Sequence, residues 1–226
     1  MTPVTEADWL AGTDPSPMLE YLRDRVGDRQ LRLFAVDCCR RVWHQLQDER
    51  SRRAVIVSER YADGLADRKE LARARKEART AGWNGRSGDV SWNGPALIAW
   101  CSTRETIAAA AIDAARACAW HATAKRPEDV GDIAGERRRQ VAVLHCIVGN
   151  PFRAARIDPA WLVWNESAVL KIARGVDEER AFNRLPILAD ALEDAGCDNA
   201  DLLAHCRGPG PHVRGCWVVD LLLGKS

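Results

Sequence analysis

Cys197, His205, Cys206, His212 and Cys216 crowd around the turn "RGPGP" near the end of this 226-residue chain. Thiolates and imidazoles are ligands that zinc takes in a tetrahedron. Structural sites usually bring them in pairs two to four residues apart, so that one tight turn presents both. The intervals here are eight, one, six and four, with no CxxC pair among them. Neighbouring residues on a helix point about 100° apart, so His205 and Cys206 face different directions. Cys206, His212 and Cys216 are the candidate metal ligands, zinc is the ion such donors suit, and Cys38, Cys39 and His44 are donors that could complete the set. The competing reading is a helix corner: cysteines buried at helix ends, a rigid proline turn, and histidines bonded to the last helical carbonyls.

A second set pairs Cys118 and His121, three apart and on one helix face, with His145-Cys146 on the next helix. The adjacency of His145 and Cys146 makes joint ligation awkward. Thiol catalysis requires a base beside the sulfur, and Cys206 or Cys216 with His212 is the nearest approach to such a pair. The carboxylates at 177–179 and 193–194 read as solvated helix faces. The stretch "LLLGKS" imitates the end of a phosphate-binding loop, but the glycine it requires is Val219, so nucleotide binding through this motif is not expected.

Lys and Arg number 33 against 32 Asp and Glu, so no net field draws the chain to nucleic acid or an anionic membrane. The arginine clusters at 40–41, 52–53, 73–79 and 137–139 are interleaved with acids. The N-terminus lacks a basic start with an apolar run, and no segment has the apolar length of a membrane span. The expectation is a cytoplasmic protein whose eight cysteines are reduced thiols, most of them small core residues, and that needs no cofactor unless zinc binds.

These side chains must be positioned by helices. Ser16 and Pro17 start one helix. Leu31, Phe34, Cys38, Val42 and Leu46 form a stripe on the next, with spacings of three and four. A charged helix ends near Gly82, and residues 82–94 form a glycine-rich loop carrying Trp83 and Trp92. Both tryptophans are candidate partner anchors, and folding back over the core is the alternative. One long alanine-rich helix follows Pro95, and another stops at Gly149. Residues 150–167 show no clear period. Pro186 starts a helix that ends at Gly196, and the last apolar run fits a helix or a buried strand.

Residues 184–207, "RLPILADALEDAGCDNADLLAHCR", resemble the short repeat-companion domain of many planctomycete proteins, a helix of the form L-x-x-x-A-D-x-L-E, a glycine turn and a second helix. The matching positions are Leu185, Ala189, Asp190, Leu192, Glu193 and Gly196. The blocks "LRLFAVDCCRRVWH", "GNPFRAARIDPAWLVWN" and "HCRGPGPHVRGCWVVDLLLGK" are similar to an uncharacterised planctomycete paralogous family, over most of the chain outside about 66–140. The resemblance implies a bacterial cytoplasmic setting and no particular activity.

Together these readings predict an all-α protein, a compact multi-helix bundle with short stacked helical hairpins at the C-terminus. It forms a single domain over 1–226, with one subdivision available at the 82–94 loop (1–81 and 95–226). The expected function is non-catalytic, a cytoplasmic protein-interaction or adaptor module whose partner is another protein. The alternatives are a protein with a structural or regulatory zinc at the C-terminal Cys/His cluster and a nucleic-acid-associated regulator. The charge balance disfavours the second.

Overall fold

The computed structural model describes residues 4–82, 94–123 and 132–225, and every described element is helical. No helix among the described residues is long and apolar enough to cross a membrane. The chain divides into two compact units, Met1–Val141 and Ala142–Ser226. The division falls inside a helix, whereas the sequence reading placed its available break at 82–94. The helices on either side of that segment pack on each other within the first unit.

The first unit holds α1 (Glu6–Ala11), α2 (Pro15–Leu22), α3 (Asp28–Arg41), α4 (Glu49–Ala62), α5 (Arg68–Gly82), α6 (Gly94–Ser102), α7 (Ile107–Thr123) and the start of α8 (Ile133–Val148). α2 begins two residues earlier than Ser16 and Pro17 suggest: the Asp14 carboxylate caps the Ser16 amide, and Pro15 takes the first helical position. α3 lies at the centre, against α4, α6 and α7. Its stripe of Leu31, Phe34, Cys38, Val42 and Leu46 is buried throughout, although the α-helix itself stops at Arg41 and a short 3-10 turn carries the chain on.

The polar side of α3 is tied down by ion pairs. Arg40 reaches Glu59 at 2.9 Å, Arg41 reaches Glu136 at 3.0 Å, and Asp37 receives Arg139 at 3.0 Å. Arg52 pairs with Glu49 and Arg137 with Asp14. Arg73 pairs with Glu77 at 3.0 Å, so members of all four basic clusters meet carboxylates of their own unit.

The long alanine-rich helix expected after Pro95 is two helices, broken at 103–106. Ser102 Oγ donates to the Ala99 carbonyl and Thr103 Oγ1 to the Trp100 carbonyl, local bonds that compete with helix continuation. Arg32 then donates to the carbonyls of Ser102 and Arg104, which satisfies acceptors that the helix end leaves open. Trp83 and Trp92 lie outside the described residues.

The second unit contains the end of α8, α9 (Pro159–Glu179), α10 (Leu185–Asp194), α11 (Ala200–Arg207) and α12 (Trp217–Leu223). α10 and α11 pair as a hairpin, and α9 packs on α10 and α12. The final apolar run is thus a helix rather than a strand. Part of the aperiodic stretch is helical too, capped by Asp158 with Pro159 at its first position. It stayed illegible because α9 is interrupted: Asn165, Glu166 and Ser167 have φ of 44°, 54° and 63°. Left-handed backbone costs non-glycine residues roughly 1–2 kcal/mol each. The Glu166 side chain is 91% exposed and only approaches Lys171, at 3.9 Å. Glu166→Gly therefore raises stability by about 0.5–1 kcal/mol, after allowing for glycine's greater freedom in the unfolded chain. A chemical denaturation midpoint that stays put or falls would contradict this.

Candidate metal centre

Four side chains of the second unit converge: Cys146 from the last turn of α8, His205 from α11, His212 from the loop after it, and Cys216, the residue that precedes α12. Each offers one ligand atom, and these atoms all lie within 4.8 Å of one another. The two cysteines are buried and the two histidines half-buried. This Cys/His cluster could hold a metal ion.

The backbone between α11 and α12 is shaped for the convergence. α11 is capped by the Asn199 side chain at its start and ends at Gly208. Gly210 has φ +85°, and a Cβ placed there would stand 2.8 Å from the His212 amide nitrogen. Only glycine lets the loop curl this tightly under the His212 ring. The His205 and His212 rings meet nearly edge to face, 5.0 Å between centroids at 86°. Trp217 packs at 5.5 Å from His205, and its indole lies against Gly149, where a Cβ would meet ring carbons at 3.0–3.2 Å.

The hydrogen bonds around the cluster satisfy its groups except for one ring nitrogen. His212 Nε2 lies 3.1 Å from the Gly208 carbonyl oxygen, which accepts but cannot donate, so Nε2 carries the proton. His212 Nδ1 is then the unprotonated nitrogen, and it is buried with no hydrogen-bond partner. A carbonyl bond at one imidazole nitrogen is the usual device for fixing the other as a metal ligand. His205 Nε2 lies 3.2 Å from Cys216 Sγ, and the Val213 amide donates to Cys146 Sγ at 3.4 Å. The Cys216 thiol is held well below its ordinary range, first by its hydrogen bond with Cys146 and then by the two imidazoles, against the opposing effect of burial. His212 is pushed upward, chiefly by Cys216.

His212 and Cys216, both named from sequence, thus sit together, and the other two members of the cluster are Cys146 and His205 rather than Cys206. Cys206 is fully buried in the hydrophobic core of the unit, and burial pushes its thiol up to about 12. Leu202 and Cys206, four apart on α11, are both buried, which turns His205 out of the core and toward Cys216. That i, i+4 apolar pair was the signal in the sequence favouring His205. Cys146 entered the sequence reading only in the second set. Its partner there, Cys118, instead donates to the Cys38 carbonyl at 3.4 Å and lies 3.6 Å from Glu136 Oε1, within the first unit. Cys38 and Cys39 are buried thiols with pKa values raised well above the ordinary, Cys38 chiefly through its bond with Cys118 and Cys39 through burial.

The helix-corner reading also finds a counterpart in the Gly208 carbonyl bond of His212, since Gly208 ends α11. All eight cysteines are buried and none is in a disulfide. Comparison of the chain with protein-family models, with curated proteins and with solved structures finds no match.

Proposed function

We propose that residues 142–226 form a zinc-stabilised helical module of a non-catalytic protein, with Cys146, His205, His212 and Cys216 as the four ligands. The observation that carries this reading is the mutual approach of all four ligand atoms to within 4.8 Å, with one of the four residues, His212, presenting a buried nitrogen that has no other partner. Zinc bonds of roughly 2.3 Å to sulfur and 2.0–2.1 Å to nitrogen make a tetrahedron with edges of about 3.3–3.8 Å. The cluster therefore needs a contraction of only about 1 Å at its widest pair.

Two thiolates and two imidazoles suit zinc better than calcium or magnesium, which take oxygen ligands. Four protein ligands fill the tetrahedron, leaving no position for a water or substrate, and this favours a structural over a catalytic ion. The ion's role is connective. It fastens α8, α11, the proline loop and the start of α12 at one point, closing the long loop between Cys146 and Cys216.

A nucleic-acid role has less support: the second unit carries eleven acidic against nine basic side chains, and Arg207 is already engaged by Asp190 and Glu193.

The test is elemental analysis of tag-free protein purified without chelator, run beside Cys206→Ala. The wild type carries about one zinc per chain. Cys206→Ala keeps it, and loses only packing, about 1 kcal/mol for a small buried side chain. Zinc lost from Cys206→Ala while the protein stays folded would move the site to the other cysteine and overturn the assignment.

A further inference from the structure

A polar cavity of about 240 Å³ opens in the first unit among α3, α4, α5 and the turn after α6, remote in sequence from the cluster of the second unit. Arg32 lies at its wall and is 2% exposed. Its guanidinium donates to the Ser102 carbonyl at 2.8 Å and the Arg104 carbonyl at 3.2 Å, and stacks 5.0 Å from the Tyr61 ring centre. Among the described residues, no carboxylate pairs with it within the 4.0 Å of a salt bridge. Arginine stays charged inside proteins, so a cation is buried here, compensated by two carbonyl dipoles, the Tyr61 ring and, beyond salt-bridge distance, the charge of Asp28.

Two more guanidinium groups line the same cavity. Arg68 and Arg75 are seven residues apart on α5, hence on one face. Both depend on a single carboxylate, Glu105, at 3.2 Å and 3.7 Å. Glu105 is 49% exposed, and exposed pairs of this kind contribute little, so the two arginines can exchange it for another anion at small cost. Leu71, buried, supplies an apolar wall beside them. Asp28, the other acidic residue of the lining, opens α3.

We propose that this cavity binds a small organic oxyanion, a carboxylate or a phosphate ester, whose charged end takes the place of Glu105 between Arg68 and Arg75 in the field of Arg32. The cavity is smaller than the roughly 300–1,000 Å³ that drug-sized ligands occupy, so the occupant is a small metabolite or a terminal group rather than a nucleotide. The arrangement makes a directional demand. Glu105 competes with the ligand, and removing its charge strengthens binding, whereas removing an arginine weakens it.

The experiment is an NMR titration of the full chain with inorganic phosphate and, separately, with benzoate, in buffer free of other oxyanions. Saturable shifts of residues on α5 and in the 103–105 turn are expected for at least one probe, and which probe binds identifies the headgroup. Relative to wild type, Glu105→Gln binds about fivefold more tightly and Arg75→Gln about fivefold more weakly, the effect of one partly exposed charge contact. Arg138→Gln, an exposed arginine outside the cavity, changes nothing. All three substitutions are at exposed or half-exposed positions, so the fold is retained. The absence of saturable shifts with both probes, or weaker binding by Glu105→Gln, would overturn the proposal.

Discussion

Cys216→Ser reduces bound zinc from about one per chain to near zero and lowers the stability of the second unit far more than Cys206→Ala does. The serine hydroxyl keeps the size of the side chain but stays protonated near neutrality and is a poor zinc ligand. Losing an outer partner of a metal ligand costs about 10–100-fold in affinity, and losing a thiolate costs more. Structural zinc contributes an apparent 10–16 kcal/mol in small zinc-dependent domains at neutral pH, comparable to the whole stability of a domain. Treating the wild type with a strong chelator has the same consequence. Hydrogen exchange locates it: protection falls in α11, in the 208–216 loop and in α12, which the proposed ligands join to α8. Cys216→Ser with full zinc and unchanged protection would remove that cysteine from the site.

Phe34→Ala destabilises the first unit by about 3–5 kcal/mol, the usual effect of emptying an aromatic position in a core. Phe34 is 1% exposed at the middle of α3, the helix against which α4, α6 and α7 pack, so no side of the cavity can collapse easily. For a unit of this size each kcal/mol moves the melting temperature by a few degrees, which makes the loss roughly 10–20 °C. Ile56 on α4 is 43% exposed, and Ile56→Ala changes stability by no more than about 0.5 kcal/mol. Calorimetry of the pair checks both values. Similar shifts for the two variants would mean that α3 is not the centre of the packing.

The fold class was legible because helix-forming signals repeat along the chain. The spacing of Leu31, Phe34, Cys38, Val42 and Leu46 marked the buried face of α3, and Gly149, Pro186 and Gly196 punctuated the C-terminal helices. The misread elements have long-range or unusual causes. α6 and α7 separate where Arg32, seventy residues away, takes the carbonyls that would have continued the helix. α9 was hidden by three left-handed residues that no periodicity encodes.

The candidate site was half legible for the same reason. His212 and Cys216, four apart, are delivered by one loop. Cys146 comes from a helix separated from them by α9, α10 and α11, and spacing rules see only local pairs. Of the adjacent pair His205 and Cys206, which point about 100° apart on a helix, the histidine is the one that reaches the cluster. The burial of Leu202 and Cys206 on one face of α11 leaves His205 to face the cluster.

X-ray absorption at the zinc edge of the purified wild-type chain decides whether Cys146, His205, His212 and Cys216 hold the ion. Two sulfur atoms at about 2.3 Å and two nitrogen atoms at about 2.0 Å around one zinc are expected. A shell of three sulfurs, a shell with only nitrogen and oxygen, or a protein folded and free of zinc would contradict this.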